Sequence, residues 1–193
     1  SSLSSLRPVN ITGVGGVAEP TENIAINGNL QANQAAYAAA PAYTTGALTA
    51  PGGIDQHFET TIEGFDSLGA ARTMTVQFLK TGPNQWAFEV AARPASSVNT
   101  TTHPNGLLAS GFMNFNADGT VASVTNQPVA PAAAVPFAPF TVDWVDSSGA
   151  ANQTITLNLA TGMSQFAIPN SVSSVTSDGV PPGDLVGLQL EGA

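Results

Sequence analysis

Apolar side chains return at every second position in several short runs of this chain, the spacing that puts alternate residues on one face of a β-strand. Met74, Val76 and Phe78 form one such row, and Trp86, Phe88 and Val90 form another. Between them Lys80-Thr81-Gly82-Pro83-Asn84 is polar and rich in turn formers, so the spacing predicts a hairpin from about Arg72 to Arg93. Phe58, Thr60 and Ile62 predict a strand ahead of it, joined through the turn Asp66-Ser67-Leu68-Gly69. Phe112 to Phe115, the turn-forming Asn116-Ala117-Asp118-Gly119, and Thr120 to Val124 read as a second hairpin. Phe140, Val142 and Trp144, then Ile155, Leu157 and Leu159, add two further strands. The expected fold class is all-β: an antiparallel flattened barrel or sandwich with long Ala/Pro-rich loops. Its main core is expected between about residues 55 and 168, on Phe58, Ile62, Met74, Val76, Phe78, Trp86, Phe88, Phe115, Phe140, Val142, Trp144, Ile155, Leu157 and Leu159.

Two low-complexity stretches interrupt this alternation. Gln34 to Pro51 is Ala-rich and reads as a loop, with room for a helical turn near Ala35 to Ala40 that Pro41 and Gly46 would end. Gln127 to Pro139 carries prolines at 128, 131, 136 and 139 and reads as an extended, solvated connection. An internal echo runs at an offset of 80 residues, with ten identities in 23 positions between 66–88 and 146–168. Asp66-Ser67-Leu68-Gly69-Ala70-Ala71 answers to Asp146-Ser147-Ser148-Gly149-Ala150-Ala151, but Met74, Val76 and Phe78 fall one residue out of phase with Ile155, Leu157 and Leu159. A slip of one residue turns a strand over, so duplication and reuse of turn chemistry by two hairpins both remain open.

Composition narrows the chemistry. Charged residues are 9% of the 193, against about 25% in an average soluble protein. The net charge is −9 and the cations are only Arg7, Arg72, Lys80 and Arg93, too few and scattered to track a phosphate backbone, so no nucleic-acid partner is expected. The absence of cysteine removes disulfides, thiol catalysis and Cys-based metal sites. Charge-free stretches such as Asn23 to Ile54 and Gly119 to Val142 are broken by Asn, Gln, Thr and Pro, so membrane insertion is not expected. Ser1 to Asn10 lacks an initiator Met and an apolar run of signal-peptide type, and the chain reads as a processed or excised middle piece.

Candidate catalytic groups are sparse. His57 and Glu59 stand two apart on a predicted strand and so share a face, as an acid–base pair or two metal ligands would, but no third ligand is near in sequence. His103 lies in loop-like Thr100-Thr101-Thr102-His103-Pro104-Asn105, and solvated surface is the ordinary reading of both histidines. Glu59 with Glu63, and Asp143 with Asp146, are the carboxylate pairs a glycosidase cleft would need. Turn formation already accounts for Asp66, Asp118, Asp146 and Asp178. Gly13-Val14-Gly15-Gly16 lacks the Lys-Ser/Thr of a phosphate loop, and the Asn10, Asn99 and Asn152 sequons are common by chance in Thr-rich chains. Trp86 and Trp144 are placed to stack a sugar only if exposed, whereas their period-two positions favour the core. No catalytic, cofactor-binding or metal residue is therefore assigned, no cofactor is expected, and the chain is expected not to be an enzyme.

Three segments, in order, resemble the flagellar hook proteins of bacteria. The first is Ile24-Ala25-Ile26-Asn27-Gly28-Asn29-Leu30, followed by the turn Gly64-Phe65-Asp66-Ser67-Leu68-Gly69, Thr73 to Lys80 and Asn84-Gln85-Trp86. The second is Met113-Asn114-Phe115-Asn116-Ala117-Asp118-Gly119-Thr120-Val121. The third is Ser177-Asp178-Gly179-Val180-Pro181-Pro182-Gly183-Asp184-Leu185-Val186-Gly187-Leu188, with Val180 where the family usually has an aromatic. The resemblance implies a structural subunit of the hook, a self-assembling flexible joint that transmits torque from motor to filament. It also implies an extracellular location at the bacterial flagellum after export without a cleaved signal peptide. The implied partners are copies of itself and other flagellar axial proteins of the rod, hook cap and hook–filament junction.

The amphipathic helical ends of that family are missing here, so residues 1–193 are expected to form one β-rich outer domain of a larger subunit, monomeric on its own. Residues 1–20 would be a flexible lead-in and 171–193 a return toward the missing inner domain, with Asn23 to Leu30 and Val172 to Leu190 close together. The alternative weighed is an extracellular carbohydrate-binding or adhesin-like β module, which needs an exposed Trp86 or Trp144. A secreted hydrolase would instead need two of Glu59, Glu63, Asp143 and Asp146 to converge.

Overall fold

The computed structural model describes residues 16–126 and 135–183. Among them are ten strands and no α-helix: β1 (Asn23–Asn29), β2 (Phe58–Phe65), β3 (Ala71–Gly82), β4 (Gln85–Arg93), β5 (Leu107–Phe115), β6 (Val121–Thr125), β7 (Phe140–Val142), β8 (Gln153–Asn158), β9 (Met163–Ser164) and β10 (Ser171–Ser177). They form two five-stranded sheets. One is a meander in the order β2-β3-β4-β5-β6; the other runs β10-β1-β8-β7, with β9 also paired to β1. The all-β, sandwich-like class expected from the alternation holds.

The meander places the expected hairpins where the turn chemistry put them. Phe78 faces Phe88 and Val76 faces Val90 across β3 and β4, and Met113 faces Val124 across β5 and β6. Asp66 closes the β2–β3 turn by accepting from the N–H groups of Leu68 (2.9 Å) and Ala70 (3.0 Å), while Gly69 takes the positive φ of 79° that a Cβ would oppose. Phe140 faces Ile155 in the short antiparallel pair of β7 and β8.

One apolar cluster joins the inner faces of both sheets. Met74, Val76, Phe78, Trp86, Phe88 and Val90 from the meander meet Ile24, Ile26, Val142, Trp144, Ile155 and Leu157 from the second sheet. All fourteen expected core positions except the half-buried Phe58 are buried, and Phe58 packs against the cluster. The core also reaches further toward the N-terminus than residue 55, because Ile24, Ile26 and Leu30 are buried on or just after β1.

The loops and the sheet topology resolve four further points. Gln34 to Pro51 is a loop, as expected, with no helical turn at Ala35 to Ala40; residues 31–57 cross the far face of the meander as an irregular covering layer with a small apolar cluster of Leu48, Ile54 and Leu79. This cover explains why β3 and β4 are buried on both faces. The sheets are not purely antiparallel, since β1 runs parallel to β8 and β9. Residues 146–168 do not repeat the β3–β4 hairpin: β8 and β9 both continue along β1, with Leu159 to Gly162 between them. The sequence echo therefore is not an echo of topology. Finally, the described part of the Pro-rich connection is extended but not wholly solvated, because Phe137 packs edge-on against Phe88 at 5.0 Å and donates its N–H to Val124. Residues 127–134 of that connection lie outside the described residues.

The two ends of the folded body leave side by side. β10 pairs antiparallel with β1 from Ile24 opposite Ser177 to Asn29 opposite Ser171, through a bulge at Gly28. The adjacency expected for these segments is present as far as residue 177. Residues 16–20 are not a free lead-in, because Glu19 and Val180 exchange both backbone hydrogen bonds at 2.9 Å. Residues 1–15, including the Gly13–Gly15 run and the Asn10 sequon, and residues 184–193 lie outside the described residues.

Candidate functional site

The titratable groups singled out in the sequence do not assemble into a site. His57 precedes β2 rather than lying in it, and its Nδ1 accepts the backbone N–H of Lys80 at 3.0 Å while its ring meets Trp86 edge-on at 6.1 Å. Burial, and then the nearby Lys80 ammonium, hold its pKa below the usual imidazole range. Glu59 is exposed and takes a hydrogen bond from Gln56 at 3.3 Å; Glu63 is exposed on the same strand. His103 is buried rather than solvated. Its Nε2 accepts the N–H of Asp143 at 3.0 Å and its Nδ1 lies 3.0 Å from the Leu107 carbonyl, so the ring ties the start of β5 to the segment after β7. Asp143 accepts from Thr102 at 2.8 Å, and Asp146 is exposed at the start of a 3₁₀ turn before β8. Among the described residues no group of three or more His, Asp and Glu side chains is placed to hold a metal ion.

Both indoles are buried. Trp86 is 0% exposed and donates to Gln165 Oε1 at 2.8 Å; Trp144 is 2% exposed and donates to Gln153 Oε1 at 3.0 Å. A stacking platform needs an open ring face, so the tryptophan-based sugar-binding alternative loses its requirement.

What the fold does bring together is a set of polar nodes, built on the buried Glu89, the buried Asp66 and the exposed Asp178. Glu89 on β4 is fully buried, and among the described residues no cation pairs with it. Its carboxylate accepts four hydrogen bonds from the covering layer: Tyr43 hydroxyl at 3.0 Å, Gly46 N–H at 2.7 Å, Thr49 N–H at 2.9 Å and Thr49 hydroxyl at 2.6 Å. Burial, then the Glu89 carboxylate, push the Tyr43 phenol well above its usual range, so it stays a donor. Lys80 at the end of β3 donates to the Ala32 carbonyl, and burial lowers its pKa.

A second node locks the sheets to each other. Arg72 Nη2 and Nε reach Asp66 Oδ2 at 2.6 and 2.7 Å, and the guanidinium lies 4.7 Å from the centre of the Trp144 ring. Gln153 completes it by donating to the carbonyls of Thr21 and Phe65 while accepting from Trp144. The third node clamps the paired ends. Asp178 takes the N–H groups of Glu22 (2.8 Å) and Asn23 (2.9 Å) and the Asn23 amide (2.7 Å). Burial raises its pKa, but these donors outweigh it and the carboxyl sits below its usual value.

Fully satisfied carboxylates facing backbone donors hold a shape; they do not leave a group free to attack or move a proton. The same conclusion comes from kinship. The description "Flagellar basal body protein FlaE D2 domain" matches residues 27–180, nearly the whole of the two-sheet body. The chain belongs to the FlaE D2 domain family. The flagellar hook protein FlgE of Caulobacter vibrioides is 30% identical over 162 residues, covering 72% of this chain and 27% of that protein. FlgE of Escherichia coli is 30% identical over 126 residues, 65% of this chain and 27% of that protein. Among solved structures, a 32 kDa fragment of FlgE from Caulobacter crescentus superposes with a TM-score of 0.54 at 26% identity, over 72% of this chain and 52% of that one. This D2 domain chain thus spans about a quarter of the length of the curated relatives it matches. Its family is structural, not enzymatic. No helix among the described residues is long and apolar enough to cross a membrane.

Sequence reasoning named Asp66 and Asp178 as turn formers but missed Glu89. Glu89 stands between Ala87 and Ala91, and the small residues around it are the one local sign that this face of β4 is covered. The segment that covers it lies 40 to 46 residues away and carries no periodicity that would align it.

Proposed function

We propose that this chain is the outer domain of a flagellar hook subunit, one wall element of a self-assembling flexible joint that carries torque from motor to filament. The observation that carries this reading is the coincidence of the family match over 27–180 with a self-contained two-sheet body whose ends leave together. A body attached at one place can tilt as a unit, while the Asp66–Arg72 and Glu89 nodes keep it from shearing internally. Flexing then occurs between copies, where small neutral side chains exchange contacts at little cost compared with desolvated ion pairs. Its partners in this reading are further copies of the subunit and the axial proteins of the rod, hook cap and hook–filament junction. Its location is the extracellular hook, reached by export without a cleaved signal peptide; the isolated domain is monomeric at micromolar concentration. Immunogold electron microscopy with antibodies raised against this chain tests the reading. Label confined to the short curved segment between cell body and filament is expected, and label on the filament or cell surface instead would overturn it.

A further inference from the structure

β1 and β8 alternate cleanly between core and exterior. Ile24, Ile26, Ile155 and Leu157 point inward, which leaves Asn23 and Asn27 of β1 and Thr154, Thr156 and Asn158 of β8 on the outer face. The pairing extends this face in rows, with Thr176 of β10 opposite Ala25. No strand residue on it is charged; the carboxylates that border it, Glu22 and Asp178, sit at the end where the chain enters and leaves, and Asp178 is already engaged by Asn23. A cleft of about 350 Å³ runs between Asn23, Ala25, Thr156, Asn158 and Thr176, with the engaged Asp178 at its end. The outer face of the other sheet is covered by residues 31–57, whereas this one carries no cover among the described residues.

The charge of the chain says what suits such a face. A molecule of net charge −9 repels its own copies, and an approach through β2 would set the exposed Glu59 and Glu63 against a like-charged surface. The β1–β8 face lets a copy approach without burying an ion. Its hydroxyl and amide groups bond a neighbour directly or through water, and such bonds exchange readily. We propose that the outer face of β1 and β8 packs against a second copy of the subunit in the assembled polymer. This rests on the function proposed above and names the surface through which it is carried out.

These 193 residues hold no cysteine, so with any cysteine elsewhere in the subunit replaced by serine, thiol accessibility is a clean probe. Single substitutions N27C and T156C on the face, and T61C on β2 as the control, are placed in the full-length hook subunit. Maleimide labelling rates are then compared between dissociated subunits and purified hooks. The thiols at 27 and 156 are expected to react about tenfold or more slowly in the hook, with the thiol at 61 little changed, because an interface core excludes solvent. Equal rates in the two states at both 27 and 156 would overturn the inference while leaving the proposed function intact. Wild-type subunits that form no hook would overturn both.

Discussion

Replacing Glu89 by Gln removes one charge and almost no volume, which isolates the hydrogen bonds that fasten residues 43–49 to the meander. One carboxylate oxygen accepts from Tyr43 and Gly46, the other from both Thr49 donors. An amide offers one acceptor oxygen and an NH₂ group, so either orientation points NH₂ at one of these pairs. The two hydroxyls can rotate to accept, but the backbone N–H of Gly46 or of Thr49 cannot, and one of them is left buried without a partner. That costs about 1–3 kcal/mol, and the loss of charge assistance at the remaining bonds brings the total to about 2–4 kcal/mol after relief of the carboxylate's own desolvation. For a domain of this size each kcal/mol shifts Tm by about 2–4 °C, so E89Q should melt roughly 5–15 °C lower by calorimetry. Hydrogen exchange should quicken at Gly46 and Thr49 ahead of β3 and β4. A Tm within about 1 °C of the parent, with unchanged exchange at both amides, would refute the claim that this carboxylate anchors the covering layer.

Other perturbations test the remaining nodes. Asp66→Asn turns an amide against the partly exposed Arg72 guanidinium and should lower stability by about 1–3 kcal/mol in urea unfolding, with part of the loss recovered when Arg72 is also changed to Met. The depressed pKa of His57 means that the unfolded chain binds its proton more readily. Stability from this group is full above the unfolded value near 6.5 and declines as pH falls through it, so Tm should drop between about pH 7.5 and 5.5, and H57N should flatten that part of the profile. Gly28→Ala puts a Cβ 2.3 Å from the Ser171 carbonyl oxygen, which must force β1 and β10 apart at the bulge; about 1–3 kcal/mol of destabilisation and faster exchange along β10 are expected, against no change if the bulge can widen freely.

How much of this was visible beforehand depended on whether the information was local. The strands β2 to β8 announced themselves because their apolar residues alternate and their turns use Asp, Asn and Gly at the positions such turns require, as in Asp66 to Gly69 and Asn116 to Gly119. β10 did not, because its sequence, Ser-Val-Ser-Ser-Val-Thr-Ser, sits at a sheet edge and buries none of its side chains fully. β9 is two residues long and is held by β1 on one side and by Thr120 on the other. Parallel pairing of β1 with β8 joins segments about 130 residues apart, and no turn chemistry encodes it. His103 looked like a loop histidine because its partners, the Asp143 N–H and Leu107 carbonyl, are backbone groups that sequence cannot point to. The Ala-rich stretch was legible as a loop but not as a cover: Tyr43, Leu48, Thr49 and Ile54 gain more by lying over β3 and β4 than a short helix could gain in water.

The central claim is that this domain is a rigid piece of a flexible wall. Cryo-electron microscopy of intact hooks from the source cell, at a resolution that separates strands, tests it most directly. The account predicts outer-shell density that accepts residues 16–126 and 135–183 as one undeformed body, repeated with the hook's helical symmetry and joined to the inner shell at the paired β1 and β10 ends. Hooks whose outer density has no place for two five-stranded sheets, or in which the body joins the inner shell through the β3–β4 turn, would contradict it.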